Sequence, residues 1–227
     1  MVYFQAFDIK VKKKLARTLY IIINMRMQAK FKRRKPNSRG RIISGADRLL
    51  RRNGYAGTAL SDIAKEGDAP MGSVYFHFPG GKEQLAIEAM RYGSEGVANG
   101  LRDALDNSMS PSVGLANCAR KWADDLEDSD WAEGCPVAAT ALQASTNSEP
   151  LRLTSVAILQ EWREIISSHL MTYGCPHAEA EKTAEVAIAL LEGAELASKV
   201  QRSRKPLEYA AEMMEKLMPE KVQGSGT

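Results

Sequence analysis

Thr58, Met71, Gly72, Ser73, Tyr75, His77 and Lys82 lie in one short stretch and are of the types that hold a polyanion. Hydroxyls and imidazoles donate hydrogen bonds to phosphate oxygens, and small residues let a helix come close to a nucleic acid. An ammonium at the start of a helix adds its charge to the helix dipole, so Lys82 is placed to favour a phosphate. Thr58 offers its hydroxyl or the backbone amides beside it. Met71 and Gly72 stand at the groove-facing start of a short helix, with Ser73, Tyr75 and His77 on or near its exposed side. The chemistry implied is binding of double-stranded DNA.

Two short helices around a tight turn must position these groups. Leu60, Ile63 and Ala64 share one face of the first, with Thr58 placed to cap its start. Gly67-Asp68-Ala69-Pro70 then breaks the chain: Asp tolerates a left-handed backbone, and Pro suits the first turn of a new helix. Residues 71–78 follow as the second helix, in which Val74, Phe76 and Phe78 are expected to fill the core of a small head domain. Helices joined this tightly form a helix-turn-helix, whose second helix can lie in the major groove. The blander reading is a pair of ordinary core helices. A core helix, however, rarely spends one turn on Gly72, Ser73, Tyr75 and His77.

From about Gly40 to Ala89 the sequence resembles the DNA-binding domain of the TetR family of bacterial transcriptional regulators. The matching residues are Ile42, Ile43, Ala46, Leu49 and Leu50, then Asn53-Gly54-Tyr55, Thr58, Ile63-Ala64, residues 72–78, and Lys82-Glu83-Gln84-Leu85. A dozen positions in the right order and spacing make this resemblance specific. Pro79-Gly80-Gly81 and Gly134-Cys135-Pro136-Val137-Ala138-Ala139 are similar to the branch holding the LmrA and YxaF-type regulators. Asp68 stands where the family usually has Gly, and Pro70 where it often has Ser, which removes one possible cap or phosphate donor. The resemblance implies phosphate contacts at Tyr75, His77 and Lys82. It also implies a homodimer whose last two long helices join those of a second copy in a four-helix interface.

At 227 residues the chain is long enough for one small and one larger domain. Ala, Leu, Glu and Arg dominate its periodic stretches, with little β-branched alternation, so the fold class expected is all-α. The net charge is only +3, yet residues 1–41 hold 13 Lys and Arg against the single Asp8. A basic front and an acidic body suit a protein that presents its N-terminal end to a polyanion. Three scattered cysteines argue for a reducing compartment and against a disulfide scaffold. No stretch reaches the length of a membrane span, so a cytoplasmic protein without membrane attachment is expected.

Residues 1–37 are read as a basic extension, with three explanations open: an arm that touches DNA, a solvated tail, or a translation start placed too early, Met25 and Met27 being plausible true starts. Residues 38–85 form the DNA-binding head, 86–218 a helical ligand-binding and dimerisation body, and 219–227 a tail of linker composition. Helices are expected over 38–53, 59–67, 70–78, 82–107 (bent at Gly93 and Gly96), from Pro111 or Ser112 into the 124–130 acidic run, and over 136–145. Three more follow, from about 147 through 173, over 177–201 and over 205–218. One stripe of the seventh carries Leu159, Trp162, Ile166 and Leu170. One of the eighth carries Val186, Leu190, Ala194 and Ala197, alongside Ile188 and Leu191.

Large aromatics are more often core than ligand wall. Even so, Gly134-Cys135-Pro136 breaks helicity inside an apolar region and could leave room for a small molecule, with Trp122, Cys135, Gln143 and Trp162 as wall candidates. Cys175-Pro176-His177 is too short a pair to hold a metal alone, and no nucleophile–base spacing points to catalysis, so neither cofactor nor enzymatic activity is expected. The reading is a homodimeric repressor that binds a pseudo-palindromic operator and is released by a small apolar or aromatic effector. Its rivals are a redox sensor switched by Cys135 or Cys175 and, further off, a helical enzyme with a vestigial head.

Overall fold

The computed structural model describes residues 38–144 and 146–217, and every regular element within them is a helix. The expected basic extension over 1–37 and the tail over 219–227 lie outside the described residues. The head comprises α1 (Ser38–Asn53), α2 (Leu60–Glu66) and α3 (Met71–His77). From it α4 (Gly81–Asp106) runs unbroken into the body, so the expected domain boundary after residue 85 falls inside a continuous helix. The body adds α5 (Pro111–Asp128), α6 (Ala138–Ala144), α7 (Glu149–Thr172), α8 (His177–Gln201) and α9 (Lys205–Leu217).

Helix starts follow from local chemistry. Ser110 caps α5 by accepting from Val113 N, with Pro111 in the first turn, and Ser148 caps α7 by accepting from Leu151 N, with Pro150 likewise placed. Helix α6 begins two residues later than expected because Cys135 Sγ accepts from Val137 N and Ala138 N at its start. The core is continuous. Ile42, Leu50, Ile63, Val74, Phe78 and Leu85 fill the head, and Leu101, Leu115, Leu126, Leu151 and Trp162 fill the body. In the body, α9 packs on α5, α4 on α7, and α7 on α8.

Two expectations need correction. Phe76 does not pack the head: it is 80% exposed, because Val74 and Phe78 already occupy the inward face of a two-turn helix. Gly93 marks close packing inside the unbroken α4. A Cβ there would collide with Asp47 Oδ1 of α1 and come within 3.0 Å of Pro136 Cβ, whereas one at Gly96 would meet nothing. On α8 the inward stripe is Ala180, Ala184, Ala187, Leu191, Ala194 and Ser198, and Val186 faces outward.

Candidate nucleic-acid interface and body cavity

The two helices of the head are set by the turn between them. Gly67 lies so close to α1 that a Cβ would be 3.0 Å from Ile42 Cα, and Asp68 takes the left-handed backbone that the turn needs. Arg41 clamps the turn by donating to Gly67 O at 3.0 Å and Asp68 O at 2.9 Å. Helix α3 then starts behind Pro70, whose carbonyl accepts from Ser73 N.

This arrangement leaves one side of α3 open. Tyr75 is 58% exposed, and a Cβ on Gly72 would meet nothing within 4 Å, so no internal packing requires a glycine there. Met71 is half-buried against the head core and Ser73 half-buried beside it. His77 is held: its Nε2 lies 2.7 Å from Ser38 Oγ at the start of α1. Lys82 sits in the first turn of α4 with its ammonium 4.4 Å from the centre of the Tyr55 ring, and partial burial lowers its pKa. The open side of α3 thus carries Gly72 and Tyr75, with Ser73 and His77 half-buried on the same helix and Lys82 of α4 half-buried against Tyr55.

Thr58 does not border that side. The side chain is buried, and its hydroxyl donates to Gly54 O at 2.8 Å with Leu49 O at 3.2 Å, closing the end of α1. Nor does it cap α2, whose N-cap is Ala59. A hydroxyl two carbonyls compete for has no proton left for a phosphate.

In the body, a cavity of about 740 Å³ opens between the end of α1, the middle of α4 and the last turns of α5. That volume suits a drug-sized molecule. Of the four wall candidates only Trp122 lines it. Trp162 lies behind Trp122, edge-on with ring centres 6.3 Å apart, fully buried and donating from Nε1 to Ser94 O. Gln143 is exposed and turned to the head, accepting from Ala56 N at 2.8 Å. Cys135 is buried between the α5–α6 loop and α8, donating from Sγ to Glu192 Oε1 at 3.0 Å.

The wall residues missed from sequence are mostly charged or small. Arg51, Arg52, Lys121, Asp125, Glu133 and Glu195 join Val97 and Leu126, while Gly96 and Gly100 clear space along α4. The Gly96/Gly100 spacing of one helical turn was the signal available. Arg52 pairs with Glu133, and Lys121 with Asp125. Burial, then the neighbouring Glu192, pushes Glu195 up to about 7.

The thiols are not activated. Burial pushes Cys118 up to about 12, and burial together with Glu192 and Glu195 raises Cys135 well above the ordinary thiol range. Cys175 is raised too. Since the thiolate is the reactive form, nothing at these positions favours a redox switch.

Residues 42–89 match the family model described as bacterial regulatory proteins of the tetR family, and residues 111–213 match the LmrA/YxaF-like transcriptional regulator C-terminal domain. The HTH-type transcriptional regulator LmrA of Bacillus subtilis is 36% identical over 171 residues, covering 75% of this chain and 91% of that protein. The HTH-type transcriptional repressor DhaR of Mycobacterium sp. strain GP1 is 24% identical over 187 residues, 80% of this chain and 92% of that one. Among solved structures, a TetR transcriptional regulator from Chloroflexus aurantiacus superposes with a TM-score of 0.70 at 29% identity, covering 81% of this chain and 95% of its own. CifR, solved with a 26-base-pair double-strand operator DNA, superposes at 0.68 and 23% identity, covering 78% and 95%. The chain belongs to the TetR family of DNA-binding transcriptional regulators, with an N-terminal helix-turn-helix head and a C-terminal body of the LmrA/YxaF-like type.

Proposed function

We propose that the protein is a homodimeric repressor that holds a pseudo-palindromic operator through paired heads and releases it when a small molecule enters the body cavity. The observation that carries this is the continuity of α4: it starts just after α3, carries Lys82 in its first turn, and borders the cavity with Gly96 and Gly100 in its middle. A ligand that favours one position of α4 against α5 therefore biases the position of the head. In this reading Tyr75, His77 and Lys82 hold phosphates, while Met71, Gly72 and Ser73 face base edges. The exposed Phe76 adds an apolar surface for a thymine methyl.

Dimerisation is supported by what α7 and α8 leave uncovered. Leu153 and Val156 on α7, and Val186, Gly193, Leu196 and Val200 on α8, are exposed, the last four on one face of the helix. Such a stripe on two neighbouring helices suits a four-helix contact with a second copy. DhaR carries the name of a repressor, and CifR was solved on operator DNA, which supports the same activity here.

The cavity supports an aromatic effector bearing polar or charged groups rather than a purely apolar one. Trp122 is part of the lining, together with charged side chains of both signs. The test combines three measurements: sedimentation of the free protein, binding to operator fragments, and tryptophan quenching by polar aromatic compounds with and without operator. A dimer is expected, with an effector weakening operator binding roughly 5–150-fold and operator weakening effector binding by the same factor. A monomer at micromolar concentration would refute the paired-head reading. A compound that binds the body equally with and without DNA would refute the regulatory role of the cavity.

A further inference from the structure

We propose that Cys135, Glu192 and Glu195 form a binding site for a divalent transition-metal ion of the zinc type. Nothing in the sequence joins these residues, since Cys135 precedes the two acids by more than fifty positions. The fold brings them together: Glu192 and Glu195 stand three residues apart on one face of α8, and the loop before α6 lays Cys135 across them. Among the described residues, their ligand atoms form a group of three within 4.8 Å of one another. Gly134 lies against the same groups, since a Cβ there would sit 3.3 Å from Lys199 Nζ and 3.6 Å from Glu195 Oε2.

The present hydrogen bonds leave the cluster short of positive charge. Cys135 N donates to Glu195 Oε2 at 2.9 Å, and the thiol donates to Glu192 Oε1. Glu192 Oε2, sealed from solvent, has no hydrogen-bond partner at all. A buried carboxylate oxygen without a donor is costly, and a cation removes that cost. Tetrahedral zinc with bonds of about 2.3 Å to sulfur and 2.0–2.2 Å to oxygen sets its ligand atoms roughly 3.4–3.6 Å apart, within reach of small side-chain rotations here.

Thiolate beside carboxylates selects a borderline ion over magnesium or calcium, which take oxygen ligands alone. Binding replaces the thiol proton, which is released to solvent. The outer contacts fit a metal-bound thiolate: Val137 N and Ala138 N point at Sγ from 3.3 and 3.4 Å, and Lys199, bound to Arg51 O, offsets the third negative ligand. Glu195 also lines the body cavity, which gives an ion a route in. The site does not depend on the operator or effector readings. Its consequence would be a bond between α8 and the loop that covers the end of α1.

Cobalt(II), titrated into the full reduced chain, is the probe. One equivalent per chain should bind, giving the visible bands of tetrahedral cobalt and a near-ultraviolet sulfur-to-cobalt band, both abolished by one equivalent of zinc. Cys135→Ser should remove the sulfur band, and Glu192→Gln should weaken binding at least tenfold, while Cys175→Ser, at a half-buried thiol outside the cluster, should change neither. Absence of a sulfur band in the folded wild-type protein overturns the proposal. So does a band that survives Cys135→Ser and vanishes in Cys175→Ser. Should Cys135→Ser not fold, alkylation of the wild-type protein decides: zinc should slow labelling of Cys135 at least tenfold and leave Cys175 unchanged, and equal labelling of Cys135 with and without zinc overturns the site.

Discussion

Replacing Gly93 by Ala tests the contact through which head and body meet. In the interior of a helix such a change ordinarily gains about 0.5–1 kcal/mol, because glycine loses more backbone freedom on folding. At Gly93 the added methyl must enter the space held by the Asp47 carboxylate, with Pro136 on its other side. Asp47 cannot simply swing away. It accepts from Arg51 Nε at 3.0 Å, and Arg51 Nη2 reaches Gly93 O itself at 3.3 Å, so the clash breaks a buried pair whose carboxyl is already raised by burial. Overpacking of this kind costs about 1–3 kcal/mol, which outweighs the propensity gain. Gly96→Ala is the matched control on the same helix, one turn on, where the methyl meets nothing. The propensity gain cancels between the two variants, which should differ by about 1–3 kcal/mol, or about 2–12 °C in melting temperature for a chain of this size. Thermal unfolding followed by circular dichroism, at one fixed chain concentration, reads the difference. A Gly93→Ala protein that melts as high as Gly96→Ala would refute the close packing of α1 on α4.

Other perturbations separate the roles assigned above. Lys82→Ala should weaken binding to all DNA sequences alike and reduce the slope of log affinity against log salt by about one, measured by fluorescence anisotropy over a salt series. Thr58→Val should leave that slope unchanged while costing about 1–2 kcal/mol in urea unfolding, since the carbonyls of Leu49 in α1 and Gly54 just after it lose the hydroxyl they share. Deleting residues 1–34 should flatten the salt slope by several units if the basic segment touches DNA, and an unchanged slope identifies it as a bystander. Trp122→Phe, which keeps the core filled, should weaken effector quenching, whereas Trp162→Ala should cost about 3–5 kcal/mol of stability because it empties the body core.

Helix type and extent were legible because they depend on local chemistry. Ser110-Pro111 and Ser148-Glu149-Pro150 announce helix starts, and the α8 bounds, His177 to Gln201, follow from Pro176 before it and the break at Arg202 after it. The turn at Asp68 was legible for the same reason. Which face of a helix points outward was less so. Phe76 looks like core by composition, yet in a two-turn helix the inward places are few and Val74 and Phe78 fill them. The α8 face was obscured by alanine: a stripe of Ala180, Ala184, Ala187 and Ala194 carries little hydrophobic contrast, so the sequence leaves open whether the Val186 stripe faces the core or a second copy. The least legible features were those built from long-range approach. Gln143 reads as a pocket wall until the fold sets its amide against Ala56 N, and Cys135 reads as an inert thiol until α8 brings two carboxylates to it. Charged cavity walls hide for a related reason: Arg52 and Lys121 look like solvated surface in sequence, and only their pairing with Glu133 and Asp125 shows that they can line a concave site without stranding a charge. Under the proposed function, a polar aromatic effector suits such walls, because it can add hydrogen bonds to charges already paired with one another.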